Sequence, residues 1–439
     1  MKAASFMGGI HPYDGKDLTM DKPSRTLLPL GDLVFPLSQH IGKPAKSLVK
    51  KDDYVFMGQI IAEADGPMSS NIISSVSGTV KGIEPRTTVS GLKVNSILIE
   101  NDGKYLAIDG FGKERNYHDL NNDEIRGIIK GAGIVGMGGA AFPTHVKLTT
   151  PNDEKIEYVI INGAECEPYL TSDYRIMLEE PEKLIGGLKV LLKLFPNAKG
   201  VIAIEDNKPQ AITLLQELTK KEERITVKAL KTKYPQGGER FLISAVTGRK
   251  INSSLLPLHA RCIVNNVDTV IAIYMAVAFS TPLIRKVITV TGDSIKDPGN
   301  YIVKIGMNMK EVIDAAGLTE ENPRKIISGG PMMGQALYTL DLPVTKSSSS
   351  LLVLNQDQAA AKNTSNCIRC GRCVSVCPGR IIPQKLYNFS MNNNKDGFLK
   401  YNGMECCDCG SCTYVCPAGL RLNQSIKQMR GVILQDRKK

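Results

Sequence analysis

The chain has 439 residues, of which 42% are hydrophobic and 23% charged, and its formal net charge is +11. This composition is typical of a globular protein, and the length predicts about three domains. Because tryptophan is absent, aromatic residues make up only 5% and the lysines are scattered, nothing indicates a nucleic-acid partner. The positive charge instead favours acidic partners, phosphate-bearing cofactors or an anionic membrane surface.

No secretory or membrane-spanning segment is predicted. Residues 1–9 lack the apolar core of a signal peptide, and the longest apolar run, residues 270–279, is too short to cross a bilayer. That run predicts a buried helix. We therefore expect a protein that is cytoplasmic or peripheral on the cytoplasmic face of a membrane.

The first two segments of the chain differ in character. Residues 1–32, rich in glycine and proline, predict an irregular arm, whereas short β-rich runs between turns predict a small β domain over residues 33–110. The runs are residues 54–56, 59–62, 75–80 and 96–100. This domain resembles the barrel-sandwich hybrid of lipoyl and biotinyl carriers, but no exposed lysine stands in a matching hairpin. We expect a docking or packing module.

Residues 111–284 predict an α/β domain, because helix and strand signals alternate there. The predicted elements are a helix from Asn122, strand 156–161, helix 184–194, strand 201–204, helix 209–220 and strand 225–230. Ligands of α/β sheets bind at the carboxyl ends of the strands. Asn162, Glu165 and Glu167, which follow the first strand, are therefore candidate binding residues, although a solvated acidic turn is the plain alternative.

A glycine-rich stretch, residues 131–147, lies between the first helix and the first strand of this domain. Gly131 to Gly136 match the spacing G-x-G-x-x-G, but the Rossmann fingerprint follows a strand and this stretch follows a helix. Dense glycines still indicate a backbone that approaches a ligand or adopts positive φ, and exposed N–H groups there suit a phosphate. A flexible loop between domains is the alternative.

Two later polar segments, residues 234–239 and 264–269, are set against apolar neighbours. Each alone is compatible with a plain turn, but together with the two stretches above they favour a shared cleft. Their candidate residues are Tyr234, Gly237, Gly238, Glu239, Asn265, Asn266 and Thr269. After them, residues 285–346 are again β-rich, with a strand predicted at 287–292 and a helix at 309–316.

The last predicted domain, residues 347–439, opens with a serine run and a polar connection and contains nine of the eleven cysteines, eight of which are regularly spaced. They form two C-x2-C-x2-C-x3-C-P runs, the bacterial ferredoxin pattern, in which the fourth cysteine of each run ligates the other run's cluster. We therefore expect two [4Fe-4S] clusters. One would be held by Cys367, Cys370, Cys373 and Cys416, and the other by Cys377, Cys406, Cys409 and Cys412.

Other uses of the cysteines fit less well. Zinc prefers C-x2-C knuckles separated by a longer span, and a chain of this length without a secretion signal does not need a disulfide framework. Cys166, Cys262 and Cys407 are then structural or spare thiols. The five histidines are expected in packing or surface roles, since none has metal-ligand spacing with another.

The stretch with Gly136, Gly138, Gly139, Phe142 and Lys147 resembles the flavin and NADH loop of the flavoprotein subunit of respiratory complex I and of NAD-linked hydrogenases. Residues 162–168, 234–239 and 265–269 match the remaining FMN and NADH segments in order, with Ala141 and Ala164 in place of the usual glycine and aspartate. The resemblance implies that FMN is held by residues 136–147 together with Asn265, Asn266 and Thr269. It also implies that Glu167 and Glu239 orient NADH, that Phe142 stacks on its ring, and that no residue acts as nucleophile or general base.

From about residue 5 to residue 430 the chain resembles the RnfC family, a subunit family of Rnf complexes. The resemblance implies a multidomain α/β fold with a barrel-sandwich-hybrid-like domain, a Rossmann-like flavin and NADH domain, a β-grasp-like domain and an α-helical two-cluster ferredoxin-like domain. It implies an electron-transfer subunit of a membrane-bound ferredoxin:NAD+ oxidoreductase that moves Na+ or H+ through partner subunits, above all beside a ferredoxin-like iron-sulfur subunit. A soluble cobalamin reductase with the same flavin core and clusters, or an electron-wire subunit with an empty cleft, are the alternatives.

Overall fold

The structure, a computed structural model, describes residues 3–437. The sequence predicted an irregular N-terminal arm. The arm nevertheless contains one short strand, β1 (Arg25–Leu27). This strand pairs in parallel with residues 301–303, far along the chain. Three residues between prolines carry no strand signal of their own, so the strand exists through its long-range partner.

The segment predicted to be a small β domain forms two facing sheets. The strands are β2 (Leu33–Pro36), β3 (Lys46–Ser47), β4 (Tyr54–Val55), β5 (Ile60–Glu63), β6 (Ile72–Ile73), β7 (Gly78–Thr87) and β8 (Lys93–Asn101). One sheet has the order β2-β8-β7-β4 and the other β3-β5-β6. Leu33, Phe35, Val55 and Ile61 are fully buried in the core that the two sheets share.

The α/β domain is confirmed, with helices on both faces of a parallel sheet. Its elements are α1 (Asn122–Gly131), α2 (Thr144–Leu148), β9 (Tyr158–Gly163), α3 (Ser172–Glu179), α4 (Pro181–Leu194), β10 (Lys199–Glu205), α5 (Pro209–Leu218), β11 (Ile225–Leu230), α6 (Glu239–Thr247), β12 (Cys262–Asn266) and α7 (Val267–Phe279). The strand order is β11-β10-β9-β12, and all three pairings are parallel. Helix α1 begins where predicted because Asn121 and Glu124 form a capping box.

The third domain is built on a six-stranded sheet. Its elements are β13 (Arg285–Thr291), β14 (Gly299–Lys304), α8 (Met309–Ala316), β15 (Lys325–Ser328), β16 (Gln335–Leu337) and β17 (Ser350–Leu354), and the sheet order is β1-β14-β13-β17-β15-β16. The predicted boundary at residue 346 falls inside this domain, because β17 is an interior strand. Its apolar run is only Leu351 to Leu354 between polar flanks, and such a short run is not recognised as an interior strand without its neighbours.

The C-terminal domain is helical, as predicted. Its helices are α9 (Gln358–Ala361), α10 (Arg372–Ser375), α11 (Pro383–Met391), α12 (Lys395–Lys400), α13 (Ser411–Tyr414) and α14 (Leu422–Asp436). The two cysteine motifs adopt the same turn, in which Gly371 and Gly410 take φ values of 75° and 76° directly before α10 and α13. Across residues 3–437, no helix is long and apolar enough to cross a membrane.

The apolar helix α7 is buried against α4, and glycines make this contact possible. A Cβ atom on Gly187 would come within 2.2 Å of the Val270 carbonyl oxygen, and one on Gly186 would meet the Tyr274 ring. The two helix backbones therefore touch where α7 begins. Because the first turn of α7 carries Thr269, this packing fixes one wall of the candidate site.

We expect Gly187→Ala to lower the free energy of unfolding by roughly 1–3 kcal/mol, because the new methyl group has no room. In contrast, Gly127→Ala, in α1 with open space around the Cβ position, should raise it by up to about 1 kcal/mol through helix propensity. Denaturant unfolding of both variants checks this. Equal effects at the two glycines would contradict the close packing of α4 on α7.

Candidate flavin cleft and iron-sulfur centres

The carboxyl ends of β9 and β12 lie side by side, with Asn162 in register with Asn266. The Asn162 Nδ2 group donates a hydrogen bond to the Gly237 carbonyl oxygen at 2.9 Å, and its Oδ1 atom accepts one from the Ala164 N–H at 3.1 Å. The amide of Asn162 therefore ties the end of β9 to the turn that precedes α6. These contacts bring three of the predicted segments to one sheet edge.

The glycine-rich stretch forms a hairpin rather than a loose loop. The Gly136 N–H donates to the Phe142 carbonyl oxygen at 2.8 Å, and the Met137 N–H donates to Thr269 Oγ1 at 2.9 Å. A Cβ atom at Gly138 would lie 2.9 Å from the Asn266 Cβ atom. The hairpin thus packs directly on the start of α7, and position 138 has no room for a side chain.

The tip of the hairpin, residues 138–140, is exposed and offers unused donors. Within residues 3–437, the N–H groups of Gly138, Gly139 and Ala140 have no hydrogen-bond acceptor, and the space around Gly139 is open. Nearby at the end of β12, the Asn265 Nδ2 atom is buried and also lacks an acceptor in the described chain. Successive free N–H groups suit a phosphate, and a buried amide donor suits a ring carbonyl. This donor set fits a flavin nucleotide.

An ion pair spans the same cleft. Lys147 Nζ donates to the Val264 carbonyl oxygen at 2.8 Å and lies 3.4 Å from Glu239 Oε1 at the first residue of α6. Phe142 is partly exposed and lies on the closing strand of the hairpin. The structure therefore brings Phe142, Lys147 and Glu239 to the edge at which the hairpin and the sheet meet.

Two predicted acidic residues have partners of their own. Glu165 is buried and accepts from the Asp173 N–H at 2.8 Å, so it caps helix α3. Glu167 accepts from the N–H groups of Met332 at 3.1 Å and Met333 at 2.9 Å, in a loop of the third domain. Burial raises the pKa of Glu167 to about 7, against these donors, which favour the ionised carboxylate. Neither residue is a solvated acidic turn, and neither points freely into the cleft.

Tyr234 lies at the junction of the cleft and the cysteine domain. It is 1% exposed, and its backbone exchanges two hydrogen bonds of 2.9 Å with Ile10 of the arm. Its side chain packs in one apolar cluster with Cys166, Met332 and Cys409. The turn that contains Tyr234 therefore contacts both the predicted flavin cleft and the cysteines of one predicted cluster.

An ion pair locks this junction. Arg240, in the first turn of α6, donates to the Glu405 carboxylate at 2.7 Å and to the Glu405 carbonyl oxygen at 3.0 Å. The Ser253 hydroxyl donates to the same carboxylate at 2.7 Å. Glu405 directly precedes Cys406 in the chain. The second cysteine motif is thereby held in a fixed position against the α/β domain.

Five cysteines line one cavity, which is walled by apolar side chains such as Ile381 and Ile426. Four of them are the predicted ligands Cys377, Cys406, Cys409 and Cys412, and the fifth is Cys407. Burial raises the pKa of Cys412, and the neighbouring thiolates of Cys409, Cys406 and Cys377 raise it further. Four thiolates in an apolar cavity require a cationic core, which an iron-sulfur cluster supplies. The donor set therefore fits the cluster that the spacing predicts.

The other four cysteines also form a group. Burial raises the pKa of Cys373, and the charges of Cys367, Cys416 and Cys370 add to this shift. Cys367 and Cys370 are exposed, so this group lies at the surface. Within residues 3–437, no three Cys, His, Asp or Glu side chains converge as ligands of a single metal ion. The eight cysteines thus lie in the two groups that crosswise ligation would need.

Two charged residues near the cleft, Lys286 and Asp173, carried no signal in the sequence. Lys286 Nζ lies 2.7 Å from Asp268 Oδ2, and both side chains are nearly buried. Asp173 accepts from Asn266 Nδ2 at 2.6 Å, and burial together with the charge of Glu165 raises its pKa. Neither residue belongs to a motif, so no spacing reveals it. These contacts orient Asn266 and the start of α7.

Four family models match successive parts of the chain. The RnfC barrel sandwich hybrid domain matches residues 4–104, the Nuo51 FMN-binding domain 129–275, the SLBB domain 287–336 and the 4Fe-4S dicluster domain 366–420. These matches confirm the predicted fold class and the two kinds of cofactor. Fold and site together define an iron-sulfur flavoprotein.

Relatives along the whole chain identify the family. In Clostridium ljungdahlii, the C component of the proton-translocating ferredoxin:NAD(+) oxidoreductase complex is 46% identical, over 87% of this chain and 83% of the relative. In Acetobacterium woodii, the C component of the Na(+)-translocating ferredoxin:NAD(+) oxidoreductase complex is 42% identical over 100% and 99%. The chain belongs to the RnfC family of Rnf complexes.

A solved structure supports the fold. An NAD+-reducing [NiFe]-hydrogenase in the air-oxidised state aligns with a TM-score of 0.52 and 20% identity over 73% of this chain. The aligned region spans 64% of that chain, just under two thirds of its length. The chain therefore shares its fold with a protein to which its sequence identity is low.

We expect Cys377→Ser and Cys412→Ser to remove the same cluster, because both residues line the buried cavity. Cys373→Ser and Cys416→Ser should remove the other one. Each variant should retain about half of the iron of the parent protein, with one of two electron paramagnetic resonance signals missing. Cys262→Ser, a buried thiol outside both groups, is the control. Loss of the same signal in both Cys377→Ser and Cys373→Ser would contradict crosswise ligation.

Proposed function

We propose that this chain is the NAD(H)-interacting electron-transfer subunit, with FMN and two [4Fe-4S] clusters, of a membrane-bound, ion-translocating ferredoxin:NAD+ oxidoreductase. The contact of the Tyr234 turn with Cys409 carries this proposal. It joins a nucleotide cleft to a cluster cavity. Electrons cross only short distances efficiently, and here one turn of the chain contacts both sites.

The residues of the cleft bind and orient rather than react. Bound FMN exchanges a hydride with a nicotinamide and single electrons with iron-sulfur clusters. The free N–H groups of Gly138 and Gly139 would hold the phosphate, and Asn265 Nδ2 would donate to the flavin ring. Asn266 and Thr269 fix the hairpin against α7, while Asn162 fixes the turn with Gly237. No nucleophile or general base is needed.

NADH would enter over the exposed side of the hairpin. Phe142 would stack on the nicotinamide ring, Glu239 would accept hydrogen bonds from the ribose, and Lys147 holds Glu239 in place. Glu167 bounds the same space from the side of the third domain, where Met332 and Met333 hold it. Glu167 would then orient NADH by sharing these hydrogen bonds.

The two clusters would act in sequence. The buried group with Cys409 lies against the cleft and would take electrons first, whereas the group with exposed Cys367 and Cys370 would pass them on. Ile368 in that motif is 67% exposed. Arg369 and Arg372 are also exposed, and within the described residues neither forms a salt bridge. In the second motif, by contrast, Asp408 is paired with Arg430.

This basic, partly apolar surface around the first cysteine motif fits an acidic redox partner. We assign the partner as the ferredoxin-like iron-sulfur subunit of the same complex. The chain would then be a peripheral subunit at the cytoplasmic face of the bacterial membrane, bound to the membrane through its partners. The path of Na+ or H+ would lie in those partner subunits.

Glu167→Ala should slow NADH-driven reduction of the clusters by roughly tenfold or more, because a charged hydrogen bond to the substrate is lost. Flavin content and reduction of the clusters by dithionite should stay normal. Glu154→Ala, at an exposed position outside the cleft segments, is the matched control. Cluster reduction at the parental rate in Glu167→Ala would overturn the assignment of this residue.

The same preparation separates the alternatives. A chain that binds no flavin and shows no NADH-dependent reduction of a dye would be an electron-wire subunit. A chain that is found apart from membranes and reduces a corrinoid with NADH would be a soluble cobalamin reductase.

Replacing Arg369 and Arg372 together by Glu should slow electron transfer into the assembled complex at least about threefold and weaken its dependence on salt. NADH-driven reduction of the chain's own clusters should not change. Replacing the exposed Lys50 and Lys51 by Glu alters net charge equally and serves as the control. If both double variants slow transfer equally, the effect is one of net charge and the first motif is not the docking surface.

A further inference from the structure

Lys346 is a buried cation without a buried counter-ion. Its side chain is 1% exposed, and burial lowers its pKa to about 7 with no neighbouring carboxylate among the described residues to offset the shift. Leaving an ammonium group in such a place is costly unless its hydrogen bonds are satisfied. A methionine of similar length would avoid that cost, so the contacts of this lysine need an explanation.

The ammonium group joins three separate segments. Lys346 Nζ donates to the Gly133 carbonyl oxygen at 2.7 Å, to Ser70 Oγ at 3.2 Å and to the Asn71 carbonyl oxygen at 2.5 Å. Ser70 and Asn71 belong to the β domain of residues 33–110, which we call the barrel domain. Gly133 lies near the start of the glycine-rich stretch. Lys346 itself ends the segment that the sequence assigned to the third domain. One side chain therefore fastens the start of the hairpin to two other domains.

The geometry at position 133 requires a glycine for this contact. Gly133 has φ +65°, and a Cβ atom there would lie 2.6 Å from the Asn71 carbonyl oxygen and 3.1 Å from Lys346 Nζ. The barrel domain also donates from Asn71 Nδ2 to the Gly131 carbonyl oxygen at 3.2 Å. At the other end of the hairpin, the Ile41 N–H donates to the Ala141 carbonyl oxygen at 3.3 Å.

The hairpin is thus held on both sides while its tip stays free. Between these anchors lie the Gly138, Gly139 and Ala140 N–H groups, which need a fixed spacing to receive one phosphate. A loop that is ordered before binding loses less entropy on binding. Of the anchors described here, Lys346 is the one that gives hydrogen bonds to both the barrel and the glycine-rich stretch.

We propose that Lys346 is a positioning residue that preorganises the FMN-binding hairpin by tying the Gly133 carbonyl oxygen to the barrel domain. The role in FMN binding rests on the function proposed above. The barrel domain is then a clamp for the flavin loop. It would act without carrying a prosthetic group and without touching the cofactor.

The first test does not depend on FMN. Hydrogen–deuterium exchange of the FMN-free chain should show the hydrogen-bonded amides of Ile134, Gly136 and Met137 exchanging at least about tenfold faster in Lys346→Met than in the parent. Lys304→Met is the matched control, since Lys304 is also largely buried and contacts Met57 and Tyr105 of the barrel, but not the hairpin. Unchanged exchange in Lys346→Met, or equal acceleration in both variants, would overturn the proposal.

The second test measures the cofactor. Titration of FMN into the apo-chain, followed by quenching of flavin fluorescence, should give at least about tenfold weaker binding in Lys346→Met and partial recovery in Lys346→Arg. Faster hairpin exchange with no FMN binding by the parent chain would refute the proposed function and leave the clamp standing. Parental FMN affinity in a well-folded Lys346→Met would overturn the positioning role.

A milder variant covers the case in which Lys346→Met does not fold. Ser70→Ala removes one of the three acceptors and leaves the lysine bound to two carbonyl oxygens. It should accelerate exchange of the Ile134, Gly136 and Met137 amides by a smaller factor, with a matching loss of FMN affinity. Exchange and affinity equal to those of the parent in Ser70→Ala would count against the clamp.

Discussion

Electron transfer between a nucleotide cleft and an iron-sulfur cluster requires that both be held at short, constant separation, and the Glu405 ion pair provides this constraint. Glu405 receives Arg240 from the first turn of α6 and Ser253 from the segment that follows this helix. The next residue, Cys406, lines the buried cavity. Because α6 also begins at Glu239, a single helix links the nucleotide edge to the metal edge. A shift of the cysteine domain would alter both sites together.

The role of the barrel domain is to support this rigid arrangement. Its own strands bury a small apolar core and offer no carrier lysine, so its fold alone gives no function. Its loops, however, reach the glycine-rich hairpin through Ile41 and Asn71. The domain therefore contributes to the cleft through a backbone contact of Ile41 and a side-chain contact of Asn71, and no local sequence pattern reveals either one. Such contacts explain how a module that resembles carriers can serve a flavoprotein without carrying anything.

Features that depend on local spacing could be predicted from the sequence. The cysteine motifs, the capping box of α1, the strand Ile225–Leu230 and the helix Met309–Ala316 follow from residues close together in the chain. Strand β1 and the interior strand β17 could not be predicted, because each is stabilised mainly by partners hundreds or dozens of residues away. The candidate site divides in the same way. Gly138 and Asn266 were found through motifs, whereas Lys346 and Asp173 act through contacts that no local pattern encodes.

The unequal burial of the two cysteine groups has a consequence for handling the protein. Solvent reaches Cys367 and Cys370, while the other group lies in an apolar cavity. Oxygen and chelators therefore attack the two clusters at different rates, and exposure to water also separates their reduction potentials. In a preparation exposed to air, we expect the surface cluster to decay before the buried one. The iron content of a sample then depends on its exposure to air as well as on the number of clusters that the chain binds.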